Sequence, residues 1–179
     1  MDKKALETYF FEHAGGHAIR ECIQCGTCGG SCPLADQMDY SPRALFALIR
    51  DGEILEALHS EAPWLCVSCY NCAARCPREI PVTDLMYALK RLAAENNLAP
   101  RSNKTKDLYE AFAAVNERFG RITEPAVMAR YALGHPMAAL ANARLGLALF
   151  QRGRLEFRLQ KMKTPGRLRK LLGGRGGRP

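Results

Sequence analysis

Apolar residues along the first hundred positions of this chain recur at helical spacing, separated by short segments rich in glycine, proline and polar residues. One face of the first predicted helix holds Leu6, Tyr9, Phe10 and His13. We expect this helix to end at Gly15-Gly16. No stretch alternates strongly between apolar and polar residues, as a half-buried strand would. The pattern therefore predicts an all-α protein.

Two later helices are predicted with one layout, a capping residue followed by an apolar stripe. Ser41 is the expected N-cap of the first, with Pro42 at the first helical position. Its inward face holds Leu45, Leu48 and Ile49. Thr83 is the expected cap of the second, with Asp84 in its first turn. The apolar face of that helix holds Leu85, Met86, Leu89 and Leu92. A short helix over 53–59 is expected between the two.

The C-terminal part of the chain carries helical stripes of its own. Residues 96–106 are polar and include a proline, which indicates a linker. The first stripe beyond it holds Leu108, Phe112, Val115 and Phe119. A helix from about residue 123 to before Gly134 and an apolar stretch over 136–162 follow. The predicted regions are an α-helical domain at 1–98, a helical docking region at 99–163 and a basic, disordered tail at 164–179.

Charge is divided unequally along the chain. Residues 1–99 carry 9 Lys and Arg against 13 Asp and Glu, a net −4, whereas residues 100–179 carry 17 against 5, a net +12. Such an imbalance indicates an acidic body and a basic arm. In the arm, Leu155, Leu159 and Met162 lie at helical spacing beside basic residues. This pattern fits a dock for an acidic partner, a helix on a membrane surface or a solvated tail. No aromatic interleaving supports nucleic-acid binding, so no nucleic-acid partner is expected.

Composition is typical of a soluble globular protein, with 47% hydrophobic residues and a mean hydropathy of −0.22. The longest mostly apolar stretch, 137–150, contains Asn142 and Arg144 and is too short and polar to span a bilayer. The N-terminal residues MDKKALETYFFEH lack the apolar core of a signal peptide. We therefore expect a cytoplasmic protein without a transmembrane segment.

All eight cysteines lie in two motifs, CIQCGTCGGSCP at 22–33 and CVSCYNCAARCP at 66–77. Both read C-x2-C-x2-C-x3-C-P, the run found in ferredoxins with two [4Fe–4S] clusters, in which the fourth cysteine ligates the other cluster. The spacing thus predicts two clusters with crossed ligands. The ligands of the first are Cys22, Cys25, Cys28 and Cys76. The ligands of the second are Cys66, Cys69, Cys72 and Cys32.

Other roles for the cysteines fit less well. Zinc sites use four ligands in paired C-x2-C knuckles, so a third cysteine at i+6 and a fourth before proline are unexplained. Clustered thiols in a cytoplasmic chain favour metal over disulfides. With every thiol bound to iron, no Ser/His/Asp or Cys/His catalytic set remains, so we expect electron transfer without a substrate-converting site.

The two cysteine loops differ in composition. The first contains Gly26, Gly29 and Gly30, whereas the second has Tyr70 and two alanines. Glycines permit positive φ in a tight loop. They also let backbone N–H groups approach the sulfurs, which raises the reduction potential of a cluster. Both interpretations stay open at this point.

Several residues beside the motifs carry weaker signals. We expect His13 and His17 on the surface rather than as metal ligands, because they flank a glycine break. Trp64 and Tyr70 flank the second motif and are expected to shield a cluster from water rather than conduct electrons. Arg43 follows the Ser41 cap and is expected on a helix surface.

Three segments together carry a family resemblance: CIQCGTCGGSCP, MDYSPRALFALIRDG and WLCVSCYNCAARCPREIPVTDLMYALKRLA. They resemble the C subunit of heterodisulfide reductase and its bacterial relatives, over residues 15–98. The resemblance implies an α-helical ferredoxin fold. It also implies an electron relay between the A subunit of such a complex, which carries flavin and iron–sulfur clusters, and the disulfide-active B subunit, which has cysteine-rich repeats.

The sequence lacks the motifs expected of the A and B subunits, in agreement with a role as the C subunit. It has no Cys-Cys pair of the kind found in the cysteine-rich repeats of the B subunit, and no flavin fingerprint. The eight cysteines leave none for the additional [2Fe–2S] domain of succinate dehydrogenase iron–sulfur subunits. Two alternatives remain: the iron–sulfur component of a glycolate, lactate or glycerol-3-phosphate dehydrogenase system, and an iron–sulfur redox sensor whose basic arm binds DNA.

Overall fold

A computed structural model describes residues 2–100 and 104–154 of the chain. Within these ranges the protein is helical and has no strand, which confirms the predicted class. The chain divides into two compact units, Met1–Asn103 and Lys104–Pro179. The predicted stripe at Leu155, Leu159 and Met162 and the predicted tail lie outside the described residues.

The first unit is built from short helices around the cysteine motifs. Its α-helices in the described residues are α1 (Lys3–His13), α2 (Thr27–Gly30), α3 (Pro42–Arg50), α4 (Ile54–His59), α5 (Ala62–Leu65), α6 (Asn71–Ala74) and α7 (Val82–Glu95). Short 3₁₀ turns lie at Gly16–Glu21 and Ala35–Gln37. Helices α1, α3 and α7 follow the predicted stripes, and α4 lies within the short helix predicted over 53–59. The single turns α2 and α6 lie inside the two motifs, where a four-residue turn leaves no periodicity to detect.

The helix caps agree only in part with the predictions. Ser41 caps α3 as predicted, since its Oγ accepts from the backbone N–H of Ala44 at 3.4 Å. Thr83 was wrongly predicted as a cap: α7 begins at Val82, after Pro81. Proline fixes φ in a range that suits a helix start, so the helix begins before the threonine. Thr83 is instead buried, and its hydroxyl lies 3.6 Å from Cys72 Sγ.

One hydrophobic core fills the first unit. Its largest fully buried side chains are Phe10, Phe46, Leu6, Ile19, Leu45, Ile49, Ile54, Leu58, Leu85, Leu89, Leu92 and Val82. Burying each such side chain contributes about 1.5–3 kcal/mol before conformational entropy is subtracted. Helix α7 packs against α4, α5 and α6, and α1 packs against α4 and α7. Gly16 is required where the chain turns back on α1, because a Cβ there would lie 2.5 Å from the Phe10 ring.

The second unit has a much smaller core. Its described helices are α8 (Lys104–Phe119), α9 (Glu124–Gly134), α10 (Pro136–Ala141) and α11 (Ala143–Gln151). Helix α8 begins inside the segment predicted as a linker, and the predicted stripe over 136–162 is interrupted at Asn142. Its buried core residues are Ala111, Val115 and Val127. Phe112, predicted in the inward stripe, is 36% exposed because Ala111 takes the core-facing position.

Candidate metal centre

The repeated cysteine motif is also a repeat of the backbone. Gln24 and Ser68 are equivalent in the two motifs and both have positive φ, 58° and 57°. Gly26 and Tyr70 are also equivalent, with φ of 83° and 60°. Each of these left-handed residues precedes a single helical turn, α2 or α6, that carries the third cysteine of its motif. The sequence repeat therefore folds into two similar loops, and α2 contacts α6.

The first pocket is lined by four cysteines from both motifs. These are Cys22, Cys25, Cys28 and Cys76. Phe46, Ile80 and Val82 form apolar parts of its wall. The structure therefore brings the fourth cysteine of the second motif to the first three cysteines of the first motif.

The second pocket has the complementary set of thiols. These are Cys66, Cys69, Cys72 and Cys32. Met38, Met86 and Pro42 line it on the side of the core. The two pockets divide the eight cysteines into the two crossed sets that the spacing predicts.

The thiols differ in exposure within each pocket. Cys25 and Cys69, which are equivalent in the two motifs, are exposed, whereas the other six are partly buried. The partly buried cysteines that pack against the hydrophobic core are Cys22, Cys28, Cys66, Cys72 and Cys76. Each pocket therefore has a wall toward the core and one cysteine toward solvent.

Each pocket is lined by four thiols, the number that a [4Fe–4S] cluster uses. A zinc ion needs its thiolate sulfurs about 2.3 Å from one centre. The four thiolates of a [4Fe–4S] cluster bind four separate irons and surround a larger body. Four thiols around an apolar-walled space match that donor set.

Side-chain groups also reach the sulfurs. Gln24 Nε2 donates to Cys22 Sγ at 3.5 Å, and the Thr27 hydroxyl lies 3.3 Å from Cys25 Sγ. In the second pocket the Thr83 hydroxyl lies 3.6 Å from Cys72 Sγ. Hydrogen bonds to cluster sulfurs are one means by which a protein sets the reduction potential. The sequence pattern did not predict these contacts, because all three partners read as loop or cap residues.

The environment shifts the pKa values of three thiols. Burial, with a smaller contribution from the nearby Cys22 and Cys72 thiols, raises the pKa of Cys28 to about 11. Burial also raises the pKa of Cys72. The Thr27 hydroxyl lowers the pKa of Cys25. Because α2 and α6, which carry Cys28 and Cys72, contact each other, the two pockets lie close together. Iron binding must displace protons from the buried thiols.

Three arginines surround the first pocket. Arg43 and Arg78 line it, and Arg43 Cδ lies 3.6 Å from the Cβ position of Gly26. Arg50 Nη1 donates to the carbonyl oxygen of Cys22 at 2.7 Å. Arg43 is exposed, as predicted, but it also forms part of the pocket rim. Helical periodicity predicts only that Arg43 lies on a helix surface. It gives no information on whether that surface faces the cysteines.

Asp39 positions the segment that enters the second motif. Its Oδ1 accepts from Ser60 Oγ and from the backbone N–H of Ala62, both at 2.9 Å. Its Oδ2 accepts from the backbone N–H of Glu61 at 2.8 Å. These bonds satisfy N–H groups at the start of α5, which ends at Leu65, directly before Cys66. The carboxylate acts as a helix cap from more than twenty positions earlier in the chain, and no local pattern signals that.

The aromatic residues near the second motif take different positions. Tyr70 lines the second pocket and donates to Asp84 Oδ1 at 3.2 Å. Trp64 is only 4% exposed and belongs to the core, with Lys90 Nζ 5.8 Å from its ring centroid. Lys90 Nζ also lies 5.4 Å from the ring centroid of Tyr87.

Among the described residues, no histidine lines either cysteine pocket. His13 is exposed at the end of α1, 3.9 Å from a Glu12 carboxylate oxygen, and His17 is also exposed. In the second unit His135 lies between α9 and α10, with Nε2 2.8 Å from Asp107 Oδ2. The surface positions of His13 and His17 were predicted from the sequence, whereas the positions of Asp39 and Arg78 and the contacts to sulfur were not.

Comparison with known proteins shows which class of domain contains the cysteines. Residues 18–80 match the model of the 4Fe–4S dicluster domain. This segment includes every cysteine of both pockets, and it is an iron–sulfur domain. No helix within residues 2–100 or 104–154 has the length and hydrophobicity needed to cross a membrane.

The particular relatives are heterodisulfide reductase C subunits, which confirms the resemblance. The chain is 33% identical over 94 residues to the iron–sulfur C subunit of CoB–CoM heterodisulfide reductase from Methanopyrus kandleri, covering 52% of this chain and 49% of that protein. It is 39% identical over 98 residues to the C subunit of ferredoxin:CoB-CoM heterodisulfide reductase from Methanosarcina mazei, covering 53% and 59%. It is 40% identical over 87 residues to a C subunit of Methanosarcina acetivorans, covering 48% and 52%. The chain thus spans about half the length of these relatives.

Proposed function

We propose that this chain is the iron–sulfur electron-transfer subunit of a heterodisulfide reductase-type complex. In that role it relays electrons between the A subunit, with its flavin and iron–sulfur clusters, and the disulfide-active, cysteine-rich B subunit. The observation that carries the proposal is the division of eight cysteines into two pockets with crossed thiol sets. Similarity to heterodisulfide reductase C subunits supports this type of complex.

The proposal assigns one [4Fe–4S] cluster to each pocket. Cys22, Cys25, Cys28 and Cys76 would hold the first. Cys66, Cys69, Cys72 and Cys32 would hold the second. When bound, each cluster supplies a one-electron carrier. The residues of the chain fix its position, exclude water on the core side and place hydrogen-bond donors at its sulfurs.

No substrate-converting site is assigned to this chain. All eight cysteines line the two pockets, so no thiol is left for disulfide chemistry. We therefore place reduction or oxidation of the substrate in the partner subunits, and the complex in the cytoplasm. The chain contributes to an oxidoreductase as its electron carrier.

The basic C-terminal arm is proposed to hold the relay on its partner. Residues 100–179 carry 17 Lys and Arg against 5 Asp and Glu. Within the described part of the arm, Met137, Leu140, Leu145 and Leu147 on α10 and α11 are 58–77% exposed. Exposed apolar side chains among basic residues suit an interface in which burial gives affinity and charge gives orientation. The two cluster pockets stay available for electron entry and exit.

Copurification from the native host tests this function. The full chain and a chain that ends at residue 103, each tagged at the N-terminus, are purified anaerobically, and copurifying proteins are identified by mass spectrometry. We expect the full chain to bring down a flavoprotein and a protein with cysteine-rich repeats. The shortened chain should keep its iron and lose those partners.

Two results would contradict the proposal. Copurification with a 2-hydroxy-acid or glycerol-3-phosphate dehydrogenase instead would place the chain in the alternative electron-transfer system. A shortened chain that still copurifies with the same partners at moderate salt would show that the arm is not the dock.

A further inference from the structure

The two pockets are alike in thiols and differ in charge. Arg43 and Arg78 line the first pocket, and Arg50 donates to the carbonyl oxygen of Cys22 at 2.7 Å. Arg78 Nη2 is paired with Glu21 Oε2 at 2.5 Å, which offsets one of these charges. Arg43 and Arg50 remain as excess positive charge around Cys22, Cys25 and Cys28.

The surroundings of the second pocket are closer to neutral. Among the described residues that line it, none is a lysine or an arginine. Lys90 interacts electrostatically with Cys66, and burial between aromatic rings lowers the pKa of this lysine. Asp84 accepts a hydrogen bond from the pocket residue Tyr70 and supplies a negative charge on the same side. Lys90 and Asp84 thus largely offset each other, and Arg75, which contacts Ser31 before Cys32 and itself precedes Cys76, lies beside both sets of thiols and does not distinguish them.

Hydrogen bonds to sulfur follow the same trend. In the first pocket Gln24 donates to Cys22 at 3.5 Å and the Thr27 hydroxyl lies 3.3 Å from Cys25. In the second pocket the corresponding contact is between Thr83 and Cys72, at the longer distance of 3.6 Å. Charge and hydrogen bonding therefore distinguish the pockets in the same direction.

Reduction adds one negative charge to a cluster, so nearby cations and hydrogen-bond donors stabilise the reduced form and raise its potential. We propose that the pocket of Cys22, Cys25, Cys28 and Cys76 holds the cluster of higher reduction potential, and that Arg43 is a main cause of the difference. This inference rests on the proposed function, because it requires a cluster in each pocket. A chain that carries a single electron would hold it mainly in the first pocket, which orders the relay from the second pocket to the first.

Redox titration of the reconstituted full-length chain, followed by EPR at low ionic strength, tests the order. Two variants each change the surroundings of one pocket. Arg43→Gln removes a cation from the rim of the first, and Thr83→Val removes the hydroxyl beside Cys72 in the second while keeping the shape of the side chain. Arg91→Gln makes the same charge change as Arg43→Gln at an exposed position of α7 outside both pocket linings.

We expect two resolved one-electron steps. Arg43→Gln should lower the higher potential and reduce the preference of a single electron for the first pocket by roughly five-fold, the effect of one exposed charge at close range. Thr83→Val should lower the lower potential, and Arg91→Gln should leave both unchanged. The effect of Arg43→Gln should weaken as salt is added.

The opposite pattern would overturn the inference. A shift of the lower step by Arg43→Gln, a shift of the higher step by Thr83→Val, or an Arg43→Gln effect no larger than that of Arg91→Gln would each do so. A wild-type chain that shows only one cluster after full reconstitution would instead contradict the proposed function. The two failures are therefore distinguishable.

Discussion

Arg75 Nη1 donates a long hydrogen bond to Ser31 Oγ, at 3.4 Å, and the two residues occupy equivalent positions in the two motifs. Each directly precedes the fourth cysteine of its motif, Cys32 or Cys76. The contact therefore joins the two chain segments at the point where each passes its last cysteine to the other pocket. The crossed pattern is supported at this point by a contact between side chains, in addition to the cysteines themselves.

Gly26 is the position in the first loop where a side chain should cost most. Its φ of 83° is in the left-handed region, so Gly26→Ala should destabilise the loaded chain by about 1 kcal/mol through the backbone alone. A new Cβ would meet only Arg43 Cδ, at an ordinary 3.6 Å. Thermal unfolding of the reconstituted protein should show a midpoint lower by a few degrees, about what 1 kcal/mol produces in a chain of this size.

Gly30 supplies the matched control for Gly26. It lies at the end of α2, and nothing lies within 4 Å of its Cβ position. Gly30→Ala should therefore leave the unfolding midpoint unchanged or raise it slightly. Equal losses for both alanine variants would show that the loop does not adopt the left-handed turn at Gly26.

Asp39 should control how firmly the second pocket is held. Asp39→Asn removes the charge and one acceptor from the bonds to Ser60, Glu61 and Ala62, a loss of about 1–2 kcal/mol. If local opening of this segment limits iron release, transfer of iron to a ferrous chelator should become roughly five- to ten-fold faster. The absorbance of the chelator complex measures the rate.

Asp36→Asn is the control for the Asp39 variant. Asp36 lies three residues earlier, is exposed, and its carboxylate makes no hydrogen bond to the part of the chain that the structure describes. Its iron release should match that of the wild type. Release from Asp39→Asn at the wild-type rate would mean that the α5 cap does not hold the second motif in place.

The shifted thiol pKa values predict unequal reactivity in the metal-free chain. Burial raises the pKa of Cys28 to about 11, whereas Thr27 lowers that of Cys25 below its usual value. At pH 8 the thiolate fraction of Cys28 should be smaller by about a hundred-fold or more. The greater nucleophilicity of the more basic thiolate offsets part of this difference, leaving Cys25 alkylated by iodoacetamide at least roughly ten-fold faster.

The pH dependence of alkylation and a denatured sample test whether the difference in rate arises from the folded environments of the two thiols. As pH rises, the rate at Cys25 should reach its plateau at a lower pH than that of an ordinary thiol, and the rate at Cys28 should still be increasing at pH 11. In concentrated urea the two rates should converge, because the environments of the two thiols are lost. Equal rates in native buffer would mean that the metal-free chain does not keep the described pockets. Peptide mapping by mass spectrometry gives both rates.

Features set by residues close together along the chain could be predicted from the sequence more fully than features set by residues far apart along the chain. The caps and stripes that are set within one or two turns, such as Ser41 with Leu45 and Ile49, were predicted because helical periodicity is local. The grouping of the cysteines around two pockets agrees with the ligand spacing, which relates residues 44 positions apart, and their role as cluster ligands stays a prediction.

The remainder depended on contacts that spacing does not encode. Asp39 caps a turn more than twenty residues later, and Arg78 pairs with Glu21 from 57 residues away. Thr83 has the side chain of a good cap, but Pro81 moved the helix start and left its hydroxyl facing a sulfur. The charge difference between the pockets arises from such contacts, so composition alone could not predict it.

The crossed arrangement is tested most directly by replacing one cysteine at a time and measuring which of the remaining cysteines are protected from alkylation. The full chain, Cys76→Ala and Cys32→Ala are reconstituted anaerobically, treated with iodoacetamide and mapped by mass spectrometry. Wild type should bind about eight irons and protect every cysteine, and each variant should keep about four. In Cys76→Ala, the newly alkylated residues should be Cys22, Cys25 and Cys28. In Cys32→Ala, they should be Cys66, Cys69 and Cys72. If Cys76→Ala instead exposes Cys66, Cys69 and Cys72, each motif binds its own cluster and the crossed arrangement is wrong.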